Sequence, residues 1–249
     1  MADRAEVAGC RIDRLDMAGT VARCEELIAT PGVAQHVAIN AAKLVAMQED
    51  PELREIIEEC EVVSADGQSI VWASRILGDP LPTRVAGIDL MQELLAVGER
   101  RGYAVYLLGA RQEVLEQALE RIHAHHPDLR VAGSRNGYFS DDEAAVVAEQ
   151  IRAARPDILF VAISSPKKEY WLSRYGRQLE VPFVMGVGGS VDVLAGRTQR
   201  APRLLQRVGL EWAYRLAQEP RRLFRRYLVT NARFVLLVAA ELRARRRRA

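Results

Sequence analysis

An aspartate at the end of an apolar, strand-like run is the residue best placed for acid–base chemistry. Asp66 lies between Ala65 and Gly67 and follows the run Val62–Ser64. A carboxylate in this position can take the proton from an attacking hydroxyl if burial raises its pKa. Aspartate is also favoured as the N-cap of a following helix, and position alone favours this second interpretation.

Two glycine-bearing segments follow strand-like runs and could direct backbone N–H groups toward a phosphate. One is Gly186-Val-Gly-Gly-Ser190, which contains Gly188 and Gly189, and the other begins at Gly109. Val191 stands where a G-x-G-x-x-G motif needs its third glycine, and no lysine completes a P-loop. A tight turn therefore explains each segment as well as phosphate binding does.

The segment Ser165-Pro-Lys-Lys-Glu169 combines two lysines with a predicted helix start. Pro166 suits the first turn of a helix, and Glu169 suits the positive end of the helix dipole. Lys167 and Lys168 could contact a nucleotide-sugar or could simply be solvated. The segment alone favours solvation.

Several other chemistries have no signature in the chain. The three histidines near residue 125 lack the spacing of H-E-x-x-H, no D-x-D pair occurs, and no serine lies in a G-x-S-x-G elbow. The three cysteines lack C-x-x-C spacing, which argues against disulfides and a zinc site. We expect neither a metal nor a cofactor.

Charge is distributed unevenly. Residues 197–249 contain 15 arginines, no lysine and three glutamates, a net charge of +12 in a chain whose total is +2. This asymmetry indicates a polyanionic partner: nucleic acid, anionic lipid or a phosphorylated substrate. Four arginines share helical spacing and could form one basic stripe, namely Arg215, Arg222, Arg225 and Arg226, and arginine suits bidentate phosphate contacts. The bulky apolar residues between them favour a helix lying on an anionic membrane surface.

The elements that must position these residues alternate between strand-like runs and amphipathic stretches. We predict strands at 36–40, 62–64, 103–108, 129–132, 158–163 and 181–187, and helices at 52–59, 68–77, 88–101, 112–125, 142–154 and 166–177, with a further helical stretch after residue 40. This order predicts an α/β fold with a Rossmann-like, largely parallel sheet and flanking helices. Ligands of such sheets bind beyond the carboxyl ends of the strands, so Asn40, Asp66, Gly109 and Gly188–Gly189 are expected around one crevice.

The pattern changes after Gly196. We predict a helix from Pro202 to Gln218, an interruption at Pro220 and a second helix to about Arg243. The predicted organisation is an α/β body of residues 1–196 with a basic helical appendage of residues 197–249.

Composition excludes two further classes. Of the 249 residues, 49% are hydrophobic and 27% are charged, which excludes intrinsic disorder. The longest apolar run, residues 234–240, is far shorter than the roughly 20 residues that cross a bilayer. The first 16 residues carry charges where a signal peptide needs an apolar region, so we expect a cytoplasmic protein.

Short segments along the chain carry a resemblance. In the first half they are Asn40, Ser64-Ala-Asp-Gly67, Arg84-Val-Ala-Gly-Ile-Asp89, Leu107-Leu-Gly109 and Asn136-Gly-Tyr-Phe139. In the second half they are Ser165-Pro-Lys-Lys-Glu169, Gly186-Val-Gly-Gly189, Arg200-Ala-Pro202, Gly209-Leu-Glu-Trp-Ala-Tyr-Arg215, Glu219-Pro-Arg-Arg222 and Arg225-Arg226. Together, in this order and as far as about Arg233, they resemble the WecG/TagA/CpsF glycosyltransferase family.

The resemblance implies a bacterial, metal-independent enzyme that moves a sugar from a UDP-sugar to a polyprenyl-diphosphate-linked saccharide. It would act on the cytoplasmic face of the membrane, with Asp66 as the base of an inverting displacement. The implied substrate-binding residues are Asn40, Arg84, Asp89, Gly109, Lys168, Glu169, Gly188 and Gly189. The implied ligands of the acceptor diphosphate at the anionic membrane surface are Arg215, Arg222 and Arg225. No nucleic-acid partner is expected, and the oligomeric state stays open.

Two segments depart from the family pattern. Members often have Thr-Pro-Asn where this chain has Ala38-Ile39-Asn40, and many have P-K-Q-E where it has Pro166-Lys-Lys-Glu169. Lys168 therefore suggests the hypothesis of a negatively charged donor sugar, such as a uronic acid, in place of N-acetylmannosamine.

Interpretations from other classes stay open. A dinucleotide-dependent oxidoreductase would share the sheet pattern, although its glycine fingerprint is broken here. A nucleic-acid-binding protein would use the basic segment alone, although no known binding motif occurs. A membrane scaffold without enzymatic activity would tolerate the loss of Asp66.

Overall fold

The computed structural model describes residues 3–207, 209–218 and 220–248. In its last three helices, eight side chains lie outside the description: Arg203, Arg207, Arg215, Arg222, Leu223, Arg225, Arg226 and Arg248.

The centre of the molecule is a parallel sheet. Its strands are β3 (Ala34–Ile39), β4 (Val62–Ala65), β5 (Ala104–Gly109), β6 (Arg130–Arg135), β7 (Ile158–Ala162) and β8 (Phe183–Gly186). They lie in the order β4-β3-β8-β7-β5-β6, and every neighbouring pair is parallel. The predicted α/β, Rossmann-like architecture is confirmed, and each strand overlaps a predicted one.

Helices flank the sheet in the body. They are α1 (Met17–Ile28), α2 (Ala41–Glu49), α3 (Pro51–Glu58), α4 (Gln68–Ile76), α5 (Gly87–Arg101), α6 (Gln112–His125), α7 (Ala144–Ala154), α8 (Lys167–Tyr175) and α9 (Ser190–Leu194). A 3₁₀ turn, Gly176–Leu179, follows α8.

An antiparallel hairpin of β1 (Arg4–Val7) and β2 (Cys10–Asp13), which is absent from the predicted elements, precedes α1. Its Asp13 Oδ2 accepts a hydrogen bond from the Val63 N–H of β4 at 2.7 Å. The hairpin thereby covers β4, which would otherwise be a bare edge of the sheet.

Alternate residues of each strand enter opposite layers, as the period of two requires. Val105 and Leu107 of β5 pack in a core with α1, α5, α6 and α9. Tyr106 and Leu108 of the same strand pack with α7 and α8 on the other face. Val37 and Ile39 of β3 share that second face with α2, α3 and α4.

The connections after β3 and β8 leave the sheet on opposite faces. β3 leads into α2 in one layer and β8 leads into α9 in the other. Because these strands are neighbours, their carboxyl ends form the switch point of the sheet, the place where open α/β sheets bind ligands in a crevice.

The appendage contains α10 (Arg203–Arg207), α11 (Glu211–Gln218) and α12 (Pro220–Arg248). The prediction of one unbroken helix from Pro202 to Gln218 is wrong, because Gly209 takes the left-handed φ of +74° that typically ends a helix. A Cβ on Gly209 would lie 3.0 Å from Trp72 of α4, so this turn packs tightly against the body.

The last helix runs five residues beyond its predicted end and is attached to the body. Phe234 and Val238 of α12 are buried in the core that contains α2. Arg245 donates to the Leu77 and Glu6 carbonyl oxygens at 3.0 and 2.9 Å. Within the described residues, no helix combines the length and the apolar character that crossing a bilayer requires.

Candidate active site

The ends of β3 and β4 bring Asn40 and Asp66 together. The Ile39 carbonyl oxygen accepts the Asp66 N–H at 2.9 Å, which holds the two strand ends side by side. Asn40 caps α2 by accepting the Lys43 N–H on Oδ1 at 3.0 Å. Ile39 and Ala65 are register partners, so Asn40 and Asp66 follow directly at the ends of neighbouring strands. A Cβ on Gly67 would lie 3.7 Å from Asn40, so the turn after Asp66 lies against Asn40.

Asp66 does not cap the helix that follows it. The N-cap of α4 is Gly67, and no side chain caps that helix. The Asp66 Oδ1 instead accepts the N–H of Gly87, the first residue of α5, at 3.1 Å. Among the described residues, its Oδ2 has no hydrogen-bond donor, and the residue is half-buried. The cap interpretation for α4 is therefore wrong.

Two arginines and two carboxylates form a cluster beside Asp66, which we call the arginine cluster: Arg84, Asp89, Arg200 and Glu211. Arg200 holds the Asp89 carboxylate with both terminal nitrogens, one of them at 2.7 Å from Oδ2. Arg84 Nη1 donates to Glu211 Oε2 at 2.8 Å. The cluster thus joins the body to α11 of the appendage.

Electrostatics connect the arginine cluster to Asp66. The hydrogen bond to Asp89 raises the pKa of Arg200 above its ordinary value, and the negative charges of Glu211 and Asp66 add to the increase. Arg200 therefore stays protonated, and it lies close enough to Asp66 for the two charges to interact.

A buried ionic triad of Lys43, Lys168 and Glu169 lies beside the ends of β3 and β8. The Glu169 Oε1 accepts from Lys43 Nζ at 2.7 Å and from Lys168 Nζ at 2.9 Å. All three side chains are at most 8% exposed. A Cβ on Gly186 would lie 2.5 Å from Lys168 Cε, so the lysine stem crosses the end of β8 where only glycine leaves room. The solvated interpretation of Lys168 is wrong.

Burial and charge shift the triad's titration in a defined way. Burial, helped by the neighbouring charge of Lys43, lowers the pKa of Lys168 to about 8. Burial alone would raise the pKa of Glu169, but the two lysines outweigh it and lower that pKa to about 2. Because two lysines share one carboxylate, the triad holds excess positive charge at neutral pH. The second oxygen of that carboxylate, Glu169 Oε2, has no hydrogen-bond partner among the described residues.

The glycines at strand ends divide into two kinds. Gly188 has φ +50°, and no atom of the described chain lies within 4 Å of the position of a Cβ, so its surface is open. Gly189 meets only the Asp192 carboxylate, at 3.8 Å. A Cβ on Gly109 would instead overlap the Ala162 backbone, which identifies this glycine as a packing requirement between β5 and β7.

Gly109 is also far from Asp66. Four strand spacings separate β5 from β4, which is roughly 19 Å across the sheet. Of the expected set, the structure therefore gathers Asn40, Asp66, Arg84 and Asp89 around one end of the crevice and places Gly109 at the other. Gly109 could contact only the distal part of an extended ligand.

The three arginines expected to hold an acceptor diphosphate, Arg215, Arg222 and Arg225, have side chains outside the described residues. Lys43 carries no signal in the sequence, and Arg200 and Glu211 stand out there only as parts of the longer segments that resemble the family. No local signal identifies the Lys43–Glu169 pair, because 126 residues separate its members.

The chain was compared with models of known protein families. The model described as Glycosyl transferase WecG/TagA/CpsF family matches residues 5–248, which is nearly the whole chain.

Proposed function

The chain belongs to the WecG/TagA/CpsF family of glycosyltransferases, which act in the synthesis of cell-surface polysaccharides, and from this premise we propose that it transfers a sugar from a UDP-sugar to a polyprenyl-diphosphate-linked saccharide. Inversion at the anomeric carbon and a position on the cytoplasmic face of the membrane belong to the same proposal.

The observation that carries the proposal is the placement of Asp66. Its carboxylate lies at the carboxyl edge of the sheet, one oxygen is held by Gly87, and Oδ2 is available to a substrate. In the proposed reaction, this oxygen takes the proton of the acceptor hydroxyl as the hydroxyl oxygen bonds to the anomeric carbon. The bond from that carbon to the UDP oxygen breaks on the opposite face, so the configuration inverts.

The departing diphosphate requires compensation of its charge. Gly188 and Gly189 supply an open backbone surface at the end of β8, and Arg84 supplies a guanidinium in the same crevice. Asn40, which flanks Asp66, is suited to hold a hydroxyl of the donor or the acceptor sugar. These contacts support the assignment of the crevice to the nucleotide-sugar.

The ionic triad supports a donor sugar that carries negative charge. Two buried lysines share one carboxylate beside β8, and a second anion nearby would compensate the remaining charge. In this proposal, the positive charge of Lys168 attracts the negatively charged group of the donor sugar.

The appendage supports action at a membrane. Residues 197–249 carry a net charge of +12. Large apolar side chains are exposed on α10–α12 and on neighbouring α4. On the helices these side chains are Trp72, Ile76, Leu204, Trp212, Phe224, Leu228, Val229, Val235 and Leu236, and Leu210 is exposed in the turn before α11. Such a surface fits anionic headgroups and the apolar boundary beneath them. Arg215, Arg222 and Arg225 are proposed to bind the acceptor diphosphate there.

The test is UDP release from a panel of UDP-sugars in the presence of a short-chain prenyl-diphosphate-linked acceptor. We expect release with at least one donor, and a product whose anomeric configuration, measured by NMR, is opposite to that of the donor. A chain that releases no UDP from any donor on the panel, or that retains the configuration, contradicts the proposal.

A further inference from the structure

We propose that Arg84 and Arg200 form a binding site for a diphosphate ester, and that Glu211 of α11 occupies this site as an internal competitor until the substrate arrives. The inference rests on the proposed function, because it assumes that the chain handles diphosphate substrates. It adds Arg200 to the Arg84 guanidinium that the proposed function already uses, and it gives a reason for the appendage to move when a diphosphate binds.

The geometry places both guanidiniums on one carboxylate. Arg84 Nη1 lies 2.8 Å from Glu211 Oε2, and Arg200 Nε lies 3.9 Å from Oε1 of the same group. The second distance is too long for a hydrogen bond. Arg200 Nε is buried and has no hydrogen-bond partner among the described residues. Arg84 therefore has a hydrogen bond to this carboxylate, whereas Arg200 Nε has none among the described residues.

Asp89 fixes the direction of the unmet donor. Its carboxylate holds the two terminal nitrogens of Arg200, which leaves the Nε–H as the donor without a partner, with Nε 3.9 Å from Glu211 Oε1. A guanidinium held in this way is already ordered, and less entropy is lost when a further acceptor binds. Asp89 is thus a positioning residue for Arg200.

A diphosphate matches the pair better than a carboxylate does. It has more negative charge and more acceptor oxygens, spread over a longer group, and arginine binds phosphate oxygens through charge-assisted hydrogen bonds. Arg200 also interacts electrostatically with Asp66, so a diphosphate on this pair would lie next to the proposed base.

Displacement of Glu211 would act on the appendage. Glu211 is the first residue of α11, and its pairing with Arg84 connects residues 127 positions apart. Trp212, the next residue, packs edge-on against Tyr227 of α12 with ring centroids 6.2 Å apart. Release of the carboxylate would therefore loosen α11, together with its contact to α12, at the moment when the substrate is bound.

The decisive measurement is the affinity of the full-length protein for UDP and, separately, for farnesyl diphosphate, determined by calorimetry. Substitution of Glu211 should free the site. The apparent affinity for the probe then rises, because a smaller fraction of the molecules has the site closed. We expect Glu211→Gln to bind at least one probe about three- to tenfold more tightly than the wild type. Arg84→Gln should bind the same probe at least about tenfold more weakly. Glu49→Gln removes the exposed Glu49–Arg233 pair between body and appendage and should leave both affinities unchanged.

The two probes separate the two sources of diphosphate. Tighter binding of UDP alone assigns the arginine pair to the donor, and tighter binding of farnesyl diphosphate alone assigns it to the acceptor. Weaker or unchanged binding of both probes by Glu211→Gln would overturn the inference, since Glu211 would then hold the arginines in place rather than compete.

Hydrogen exchange of the wild type provides a test without substitution. Saturation with the bound probe should accelerate exchange of the backbone amides in residues 211–218, and slower or unchanged exchange would contradict the inference. A protein that binds UDP as inferred but transfers no sugar leaves the anion site intact and refutes the proposed function alone. A wild type that binds neither probe refutes the site.

Discussion

The Asp66 carboxylate accepts a hydrogen bond from the Gly87 N–H at 3.1 Å and so joins the end of β4 to the start of α5. The donor that orients this carboxylate is the first backbone N–H of α5. Such N–H groups have no hydrogen-bond partner within their own helix. The Asp66 carboxylate is therefore oriented by the backbone and not by a second, flexible side chain.

This relationship predicts that Asp66→Asn removes activity without unfolding the protein. Asparagine can still accept the Gly87 N–H on its amide oxygen, but it cannot take a proton from the acceptor. We expect sugar transfer to fall about 100-fold or more, with a thermal midpoint close to that of the wild type. Asp157→Asn is the matched control, because Asp157 accepts a backbone N–H, from Ala104 at 2.7 Å, at the opposite edge of the sheet. Near-normal transfer by Asp66→Asn would refute the assignment of the base.

Lys168→Gln tests the charge of the donor sugar. The substitution removes one of the two cations of the ionic triad while Lys43 still pairs with Glu169. We expect turnover of UDP-glucuronic acid to decrease relative to that of UDP-glucose. Lys167→Gln is the control, since Lys167 is exposed and lies over the Phe139 ring. An unchanged ratio of the two turnover rates would remove the hypothesis of a charged donor.

Glu169→Gln should destabilise the fold in a pH-dependent way. At pH 7 the substitution leaves two buried lysines without a carboxylate, and we expect the free energy of unfolding to fall by about 3 kcal/mol. The pKa of Glu169 is about 2 in the folded protein against an ordinary 4.5. Its ionised form therefore stabilises the fold above pH 4.5, and this stabilisation is lost as the pH falls toward 2.

Urea denaturation at a series of pH values measures this effect. The difference between wild type and Glu169→Gln should be largest at neutral pH and should shrink between pH 4.5 and 2. Glu149→Gln, which removes an exposed pair with Arg152, should show little difference at any pH. A pH-independent difference would show that the ionised carboxylate is not what stabilises the triad.

Two alanine substitutions distinguish an open glycine from a packing glycine. Gly188→Ala should lower the free energy of unfolding by about 1 kcal/mol, the strain of a left-handed conformation, and should weaken UDP binding because the methyl group enters the crevice. Gly109→Ala should cost about 3 kcal/mol or more, since its Cβ would lie 2.8 Å from Ala162 Cα. Thermal melts and UDP titrations check both effects, and equal destabilisation by the two substitutions would contradict this division.

The exposed apolar residues of α4 should contribute to membrane binding. Trp72 and Ile76 are 46% and 58% exposed, and Trp72 lies next to the turn between α10 and α11. Substitution of either by serine should weaken cosedimentation with anionic vesicles by about tenfold and leave folding intact. Val146→Ser on α7 is the control, with a similarly exposed side chain outside α4 and the appendage. Unchanged binding by both α4 variants would confine the membrane surface to the appendage.

Much of the fold could be predicted because its signals are local. Apolar runs of strand length alternate with amphipathic stretches, and that order requires a parallel sheet with helices on its faces. The placement of Asn40, Asp66 and Gly188 at one edge of the sheet followed from the topology, since parallel strands end on the same side. The break at Gly209 was missed because the apolar spacing of Leu205, Trp212 and Leu216 continues through it, although a glycine is a common end of a helix.

The sequence by itself determined which residue types stand at the strand ends, the contrast between an acidic body and a basic appendage, and the resemblance that the family match confirmed. Tertiary structure alone decided which charges meet. Lys43 with Glu169, Arg84 with Glu211 and Arg200 with Asp89 are each separated by more than 100 residues. Their pairing depends on how helices pack on the sheet, and burial then sets their pKa values and their strength. Neither the packing nor the burial is encoded in spacing along the chain.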